Sequence, residues 1–136
     1  MIASADEVGE FRLGYPIVGS DDDLLGFRQK FVNALVCVEQ IKTPALREKL
    51  YQKLCEVGYV LPVIVAPTAW VSPHAKIAAG GIVMHGAIVN AGAQIGENCI
   101  INSQSLIEHD AVIGDHCHVS TGALVNGGVT INRGTF

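Results

Sequence analysis

The chain is poor in aromatic residues (6%), in charged residues (16%) and in methionine, of which it has two in 136 residues. So few large side chains argue against a helical bundle and suit small aliphatics in a stacked β architecture. The charge that is present sums to −4, with a pI near 5.6 and no basic stripe. Nucleic acid and anionic membrane surfaces are therefore not expected partners. No apolar run reaches the ~18 residues of a membrane span. The N-terminus, MIASADEVGE, is acidic and does not read as a signal peptide. The four cysteines, Cys37, Cys55, Cys99 and Cys117, have neither C-x-x-C nor zinc-finger spacing. They read as reduced core thiols of a cytoplasmic protein. Against these scarcities stand 49% hydrophobic residues and a positive mean hydropathy of +0.36, enough for a sizeable core.

That apolar content is periodic. Stepping by six from Val65 gives Val71, Ile77, Val83, Val89, Ile95, Ile101, Ile107, Ile113, Val119, Val125 and Ile131, without a break. Four residues after each, from Ala69 to Thr135, stands a side chain no larger than cysteine in ten of twelve hexads. Three residues after each, Gly or Asn recurs (Gly80, Gly86, Gly92, Asn98, Gly122, Gly128, Gly134), the residues that tolerate φ > 0 at a corner. A β-branched residue and a small one share an interior, and the chain turns between them. Each hexad is one side of a prism.

Residues 1–62 lack the repeat. Ser20 and Asp23 form a capping box at a short helix. Phe31–Val38 (FVNALVCV) reads as a buried strand. Thr43 and Pro44 open a helix whose apolar face is Leu46, Leu50, Leu54 and Val57, and Gly58 closes it. Tyr59–Val65 is a strand interrupted by Pro62. The order helix, strand, helix, strand is half of a doubly wound α/β unit. Two domains are expected: a truncated α/β unit at 1–62 and a hexapeptide-repeat unit at 63–136.

The chemistry-bearing stretch is 106–120, LIEHDAVIGDHCHVS, which holds three of the five histidines. With three hexads per turn, residues 18 apart stack. His109 then stands between Ala91 and Gly127, a polar ring with a slot beside it and backbone N–H bared near Gly127. A base flanked by a backbone donor suits acyl transfer. Asp110, next in sequence, can orient the imidazole. His118 lies in a column with Ile82, Ile100 and Phe136, and is either a hydrogen-bonded packing residue or faces a partner. His116, His74 and His85 read as solvated corner residues. Glu108 shares an exposed polar column with Asn90 and Asn126, and Asn102 one with Met84 and Ser120. Cys99 and Cys117 stack inward.

The hexads, together with the string I-E-H-D-x-V-I-G-D and the H-V-S that follows, resemble the hexapeptide-repeat sugar acetyltransferases. These include sialic acid O-acetyltransferases and N-acetyltransferases of nucleotide-linked 4-amino sugars. The resemblance covers roughly 10–136. It implies a mainly β chain, a left-handed parallel β-helix of about four coils after a small Rossmann-like domain. It implies acetyl-CoA as co-substrate without a metal, a sugar or nucleotide-sugar acceptor, and a homotrimer with sites between subunits. By the same resemblance His109 is the base and Asp110 its acidic partner, while His118, Gly127 and Asn102 lie at or near the acetyl-CoA site. Beside the family's pattern the chain reads as shortened at both ends, on two departures. Gly9, Gly14 and Gly19 are too far apart, with no strand before them, to form the family's glycine-rich nucleotide turn, and the coils stop at Phe136.

Two other functions compete with this one. A metalloenzyme like the γ-type carbonic anhydrases needs three histidines at set spacing. Here His74 and His109 are 35 apart, but position 114 is glycine. A non-catalytic trimeric scaffold is the other alternative, against which the retained His109–Asp110 pair argues.

Overall fold

The structure is a computed structural model that describes residues 1–136. From Ile64 onward the chain is a left-handed parallel β-helix of four coils, each with three two-residue strands. The first face stacks Ile64–Val65, Ile82–Val83, Ile100–Ile101 and His118–Val119. The second stacks Trp70–Val71, Ile88–Val89, Leu106–Ile107 and Leu124–Val125. The third stacks Lys76–Ile77, Gln94–Ile95, Val112–Ile113 and Thr130–Ile131. Every register offset is 18 residues, as in Ile107↔Val125, so the sequence columns are physical columns.

The interior is built as the hexads predict. Val83, Val89, Ile95, Ile101, Ile107, Ile113, Val119 and Val125 are buried, with Ala87, Ala93, Cys99, Ala111 and Cys117 between them. Each fully buried Val or Ile contributes roughly 1.5–3 kcal/mol. At the ends the order loosens, and Val65 is exposed because no coil precedes it. The corners from Gly80 to Gly134 have positive φ at every sixth residue, and the non-glycine corners Asn98, Gln104, Asp110 and His116 obey the same geometry. Closure of the coil thus overrides the reluctance of L-residues to enter that region.

The first half departs from its sequence reading in several places. The Ser20–Asp23 capping box forms, ahead of a short helix α1 (Leu24–Phe27). Helix α2 spans Ala45–Val57 and ends on Gly58 at φ 88°. Of its expected apolar face, Leu54 is buried and Leu50 and Val57 pack against the same cluster, but Leu46 is exposed, and Arg47 and Tyr51 are buried as well. The reason is that α2 packs against a polar corner of the β-helix rather than an apolar sheet. The stretch 31–38 is not a strand. It is extended and touches Val60 at one parallel bridge, Asn33↔Val60, leaving Phe31 and Val32 exposed. A strand-like partner does precede Gly19, since Ile2 bridges it in parallel. Between them residues 11–16 form a small antiparallel hairpin. A second, separate cluster of Leu24, Val36, Tyr51, Leu54, Tyr59 and Leu61 holds this half together. Cys37 and Cys55 are exposed, so only Cys99 and Cys117 are core thiols. No helix is long and apolar enough to cross a membrane.

One corner column consists of Gly80, Asn98, His116 and Gly134, and α2 lies along it. A β-carbon on Gly134 would stand 3.2 Å from Pro44 Cγ, and one on Gly80 3.0 Å from the Tyr51 ring. Asn98 Oδ1 accepts from Arg47 Nη2 at 2.7 Å, and the His116 ring meets Tyr51 edge-on with centroids 5.5 Å apart. The glycines at both ends of the column let the helix approach the backbone.

Candidate active site

His109 and Asp110 sit at the corner between the second and third faces, both exposed to solvent. His109 Nδ1 lies 3.0 Å from Asp110 Oδ2. A carboxylate only accepts, so in the neutral ring Nδ1 carries the proton and Nε2 the lone pair. Asp110 reaches this position because its backbone takes the corner conformation, φ 58°. Its carboxylate folds over Gly92, one coil away, where a β-carbon would overlap Oδ1.

The Nε2 end of the His109 ring covers Gly127 in the adjacent coil. A β-carbon on Gly127 would stand 2.7 Å from Nε2 and 2.8 Å from Cε1. The Gly127 N–H makes no hydrogen bond within the chain, whereas the next amide, Gly128 N–H, donates to His109 O at 2.9 Å. The ring therefore lies against the backbone of a glycine whose N–H is unengaged within the chain, on open surface. Glu108 supports the corner from beneath. Its Oε2 accepts from Asn90 Nδ2 at 2.9 Å and from the His109 backbone N–H at 3.3 Å.

His118 and Asn102 are not at this corner. Both belong to the first face and its edge, and both line a cavity of about 200 Å³ with Met84, Ile100, Cys37 and Arg47. His118 Nδ1–H donates to the Gln40 carbonyl at 2.7 Å, and Nε2 accepts from Asn102 Nδ2 at 2.9 Å. Asn102 Oδ1 accepts from Ser103 N–H at 2.7 Å, which fixes the direction of the amide. The ring is buried, with Phe136 edge-on at 5.0 Å. Within one chain the five candidate residues thus form two groups, His109–Asp110–Gly127 on one corner and Asn102–His118 on the first face.

His116 is not solvated: it is 5% exposed beneath α2. Asn98, oriented by Arg47, donates to Nδ1 at 3.0 Å, and Nε2 stands 3.7 Å from Glu48, which also pairs with Arg133. Burial pushes its pKa below the usual histidine value, against the opposing fields of Asp115 and Glu97. Arg47 and Gln40, both buried and polar, had no signal in the first-half pattern. Asn98 stands 18 residues before His116, so the repeat itself holds one cue to that network. His74 and His85 are exposed corner residues. No three His, Cys, Asp or Glu side chains converge on a point that could hold an ion.

Residues 92–127, which contain all five candidate positions, match the family model for bacterial transferase hexapeptide (six repeats). A mutant of perosamine N-acetyltransferase from Caulobacter crescentus, solved with CoA and GDP-perosamine, is 30% identical. The match covers 95% of this chain and 69% of that one, with a TM-score of 0.76. The chain belongs to the hexapeptide-repeat sugar acetyltransferase family. A second mutant of the Caulobacter enzyme, also with CoA and GDP-perosamine, is 33% identical with a TM-score of 0.84. That match covers 93% of this chain and 59% of that one. The acetyltransferase domain of PglB from Neisseria gonorrhoeae, in complex with acetyl coenzyme A, shares the fold at 24% identity and TM-score 0.80, covering 94% and 70%. The comparison with curated proteins returns no match.

Proposed function

We propose that this chain is an acetyl-CoA-dependent acetyltransferase that modifies an amino group of a nucleotide-linked sugar, with His109 as general base. The observation that carries the reading is the packing of the His109 Nε2 end on Gly127, whose N–H has no partner within the chain. The Caulobacter relatives, solved with CoA and GDP-perosamine, support the choice of both substrates.

In this reading the acceptor amine attacks the thioester carbonyl carbon as Nε2 takes its proton. The Gly127 N–H donates to the oxyanion that forms. Collapse breaks the C–S bond, and the His109 imidazolium returns the proton to the CoA thiolate. Asp110 stabilises the imidazolium in between. A base of this kind typically contributes about 10²–10⁴-fold and one oxyanion donor about 10²–10³-fold.

The second group, Asn102 and His118, reaches the reaction only if another subunit brings its first face to the His109 corner. The second face supports such an assembly. Its outward column is Trp70, Ile88, Leu106 and Leu124, of which Trp70, Ile88 and Leu124 are exposed. An apolar stripe of this length on a sheet calls for burial, and a homotrimer gives it. Free thiols and a CoA co-substrate fit a cytoplasmic setting.

Calorimetry with acetyl-CoA, followed by acetyl transfer to a 4-amino nucleotide sugar, tests the reading. Saturable binding and turnover that His109→Ala lowers at least about 10²-fold are expected. Absence of both binding and turnover would leave a trimeric scaffold, and full activity in His109→Ala would remove the base.

A further inference from the structure

Arg47 is 1% exposed and has no carboxylate partner. Its Nη1 donates to the carbonyls of Val36 (3.0 Å) and Val38 (2.7 Å). Its Nη2 donates to the backbone and side-chain oxygens of Asn98 (3.3 and 2.7 Å). Its Nε has no partner. An uncompensated buried cation is an expensive way to fill space, since an apolar side chain of similar volume avoids the desolvation cost. What the guanidinium does that methionine cannot is hold carbonyl oxygens.

Apart from the packing of Val36 in the apolar cluster, the segment it holds has no secondary structure to fix it. From Leu35 to Thr43 no residue makes a backbone–backbone hydrogen bond. This strap crosses the first face of the β-helix on bonds from side chains: Arg47 takes Val36 and Val38, and His118 Nδ1–H takes Gln40. A carbonyl cannot donate, so the bond from Gln40 dictates where the His118 proton sits. The proton is on Nδ1, and Nε2 is left as an acceptor for Asn102.

We propose that Arg47 is a positioning residue that sets the tautomer of His118 through the strap at 36–40, and so fixes which hydrogen-bonding groups His118 and Asn102 present to the cavity they share. The role in turnover rests on the acetyltransferase reading above; the coupling of Arg47 to His118 does not. With the strap pinned, Asn102 Nδ2 is committed to His118 and Oδ1 to Ser103. With the strap free, His118 Nδ1 loses its acceptor, the proton redistributes to Nε2, and Asn102 loses its acceptor in turn. The cavity wall then changes its donor and acceptor pattern, while His109, on another corner, keeps its own hydrogen bond.

Long-range 1H–15N correlation spectra of the histidine rings test this at neutral pH. In the wild-type protein His118 should show a protonated Nδ1 and an unprotonated Nε2. In Arg47→Met, with folding verified by circular dichroism, His118 should shift toward the Nε2–H form, and Arg47→Lys should restore part of the wild-type signal. In turnover, Arg47→Met should raise KM about tenfold with little change in kcat. A wild-type His118 with its proton on Nε2 overturns the proposal whether or not any variant folds. So does a folded Arg47→Met whose His118 spectrum matches wild type. If the protein has no acetyl transfer, the spectra still decide the coupling. If the spectra fail while His109→Ala abolishes transfer, the acetyltransferase reading stands and this one falls.

Discussion

The Nε2 end of His109 lies on Gly127, so close that a β-carbon there would stand 2.7 Å from the nitrogen. The residue with no side chain is what lets the imidazole lie back along the coil, against a glycine whose N–H is unengaged within the chain. Gly92 makes the matching space for the Asp110 carboxylate on the opposite side. The pair is held between two glycines of two coils, each 18 residues from the residue it accommodates.

Gly127→Ala should therefore damage catalysis without damaging the fold. Gly127 is not among the glycines with positive φ, so alanine fits the backbone there. The new methyl must push the ring aside, and a displacement of this size typically costs about 10²-fold in rate. Steady-state kinetics should show that loss in kcat, and a thermal melt should stay within a few degrees of wild type. A kcat within about twofold of wild type would mean the ring does not act from this position.

Stability should fall as pH drops below the ordinary histidine range, and His116 should account for part of the fall. Its folded pKa is lowered by burial, so the unfolded chain binds a proton first. Below about pH 6.5 the unfolded state gains that proton while the native state resists it, and ΔG of unfolding declines until the folded pKa is passed. Above that pH the neutral ring contributes fully, accepting from Asn98 at Nδ1. Urea midpoints measured from pH 8 to pH 5 should show the wild-type advantage over His116→Gln shrinking with acidity. A constant difference across the range would show that His116 stays neutral in both states or titrates equally in both.

The exposed column on the second face gives a prediction about assembly. Leu124 stands outward beside Leu106, and in a trimer it would be covered. Leu124→Glu leaves the interior untouched, so an isolated subunit should lose no more than about 0.5 kcal/mol. A carboxylate in an apolar interface has no such tolerance. Sedimentation should report a trimer for wild type and a smaller species for Leu124→Glu, with the β-sheet circular dichroism signal retained. An unchanged sedimentation coefficient would place the subunit contact on another face.

The β-helix was legible because its cause is local and repeated. A β-branched residue every six positions specifies which side chains enter the prism, and the 18-residue closure then puts Gly127 over His109. The first half was less legible because its structure depends on what it packs against. Leu46 lies on the apolar side of α2 in sequence and on the solvent side in space, since the helix meets a corner made of Asn98, His116 and two glycines. His116 reads as solvated for the same reason: a corner is exposed unless a distant element covers it. FVNALVCV has strand composition, but only Val60 pairs with it, and the remainder becomes the strap that Arg47 and His118 hold. Such contacts link residues 11 to 78 positions apart and carry no period.

The two groups of candidate residues, His109–Asp110–Gly127 and Asn102–His118, lie on different parts of one chain, and the account requires a neighbouring subunit to unite them. Subunit complementation tests this most directly. His109→Ala and His118→Phe, each prepared as an inactive homotrimer, are mixed under conditions of verified subunit exchange and assayed for acetyl transfer. The account predicts that activity reappears in the mixture, because an intact His109 of one variant meets an intact His118 of the other. Mixed trimers that remain as inactive as their parents would contradict it.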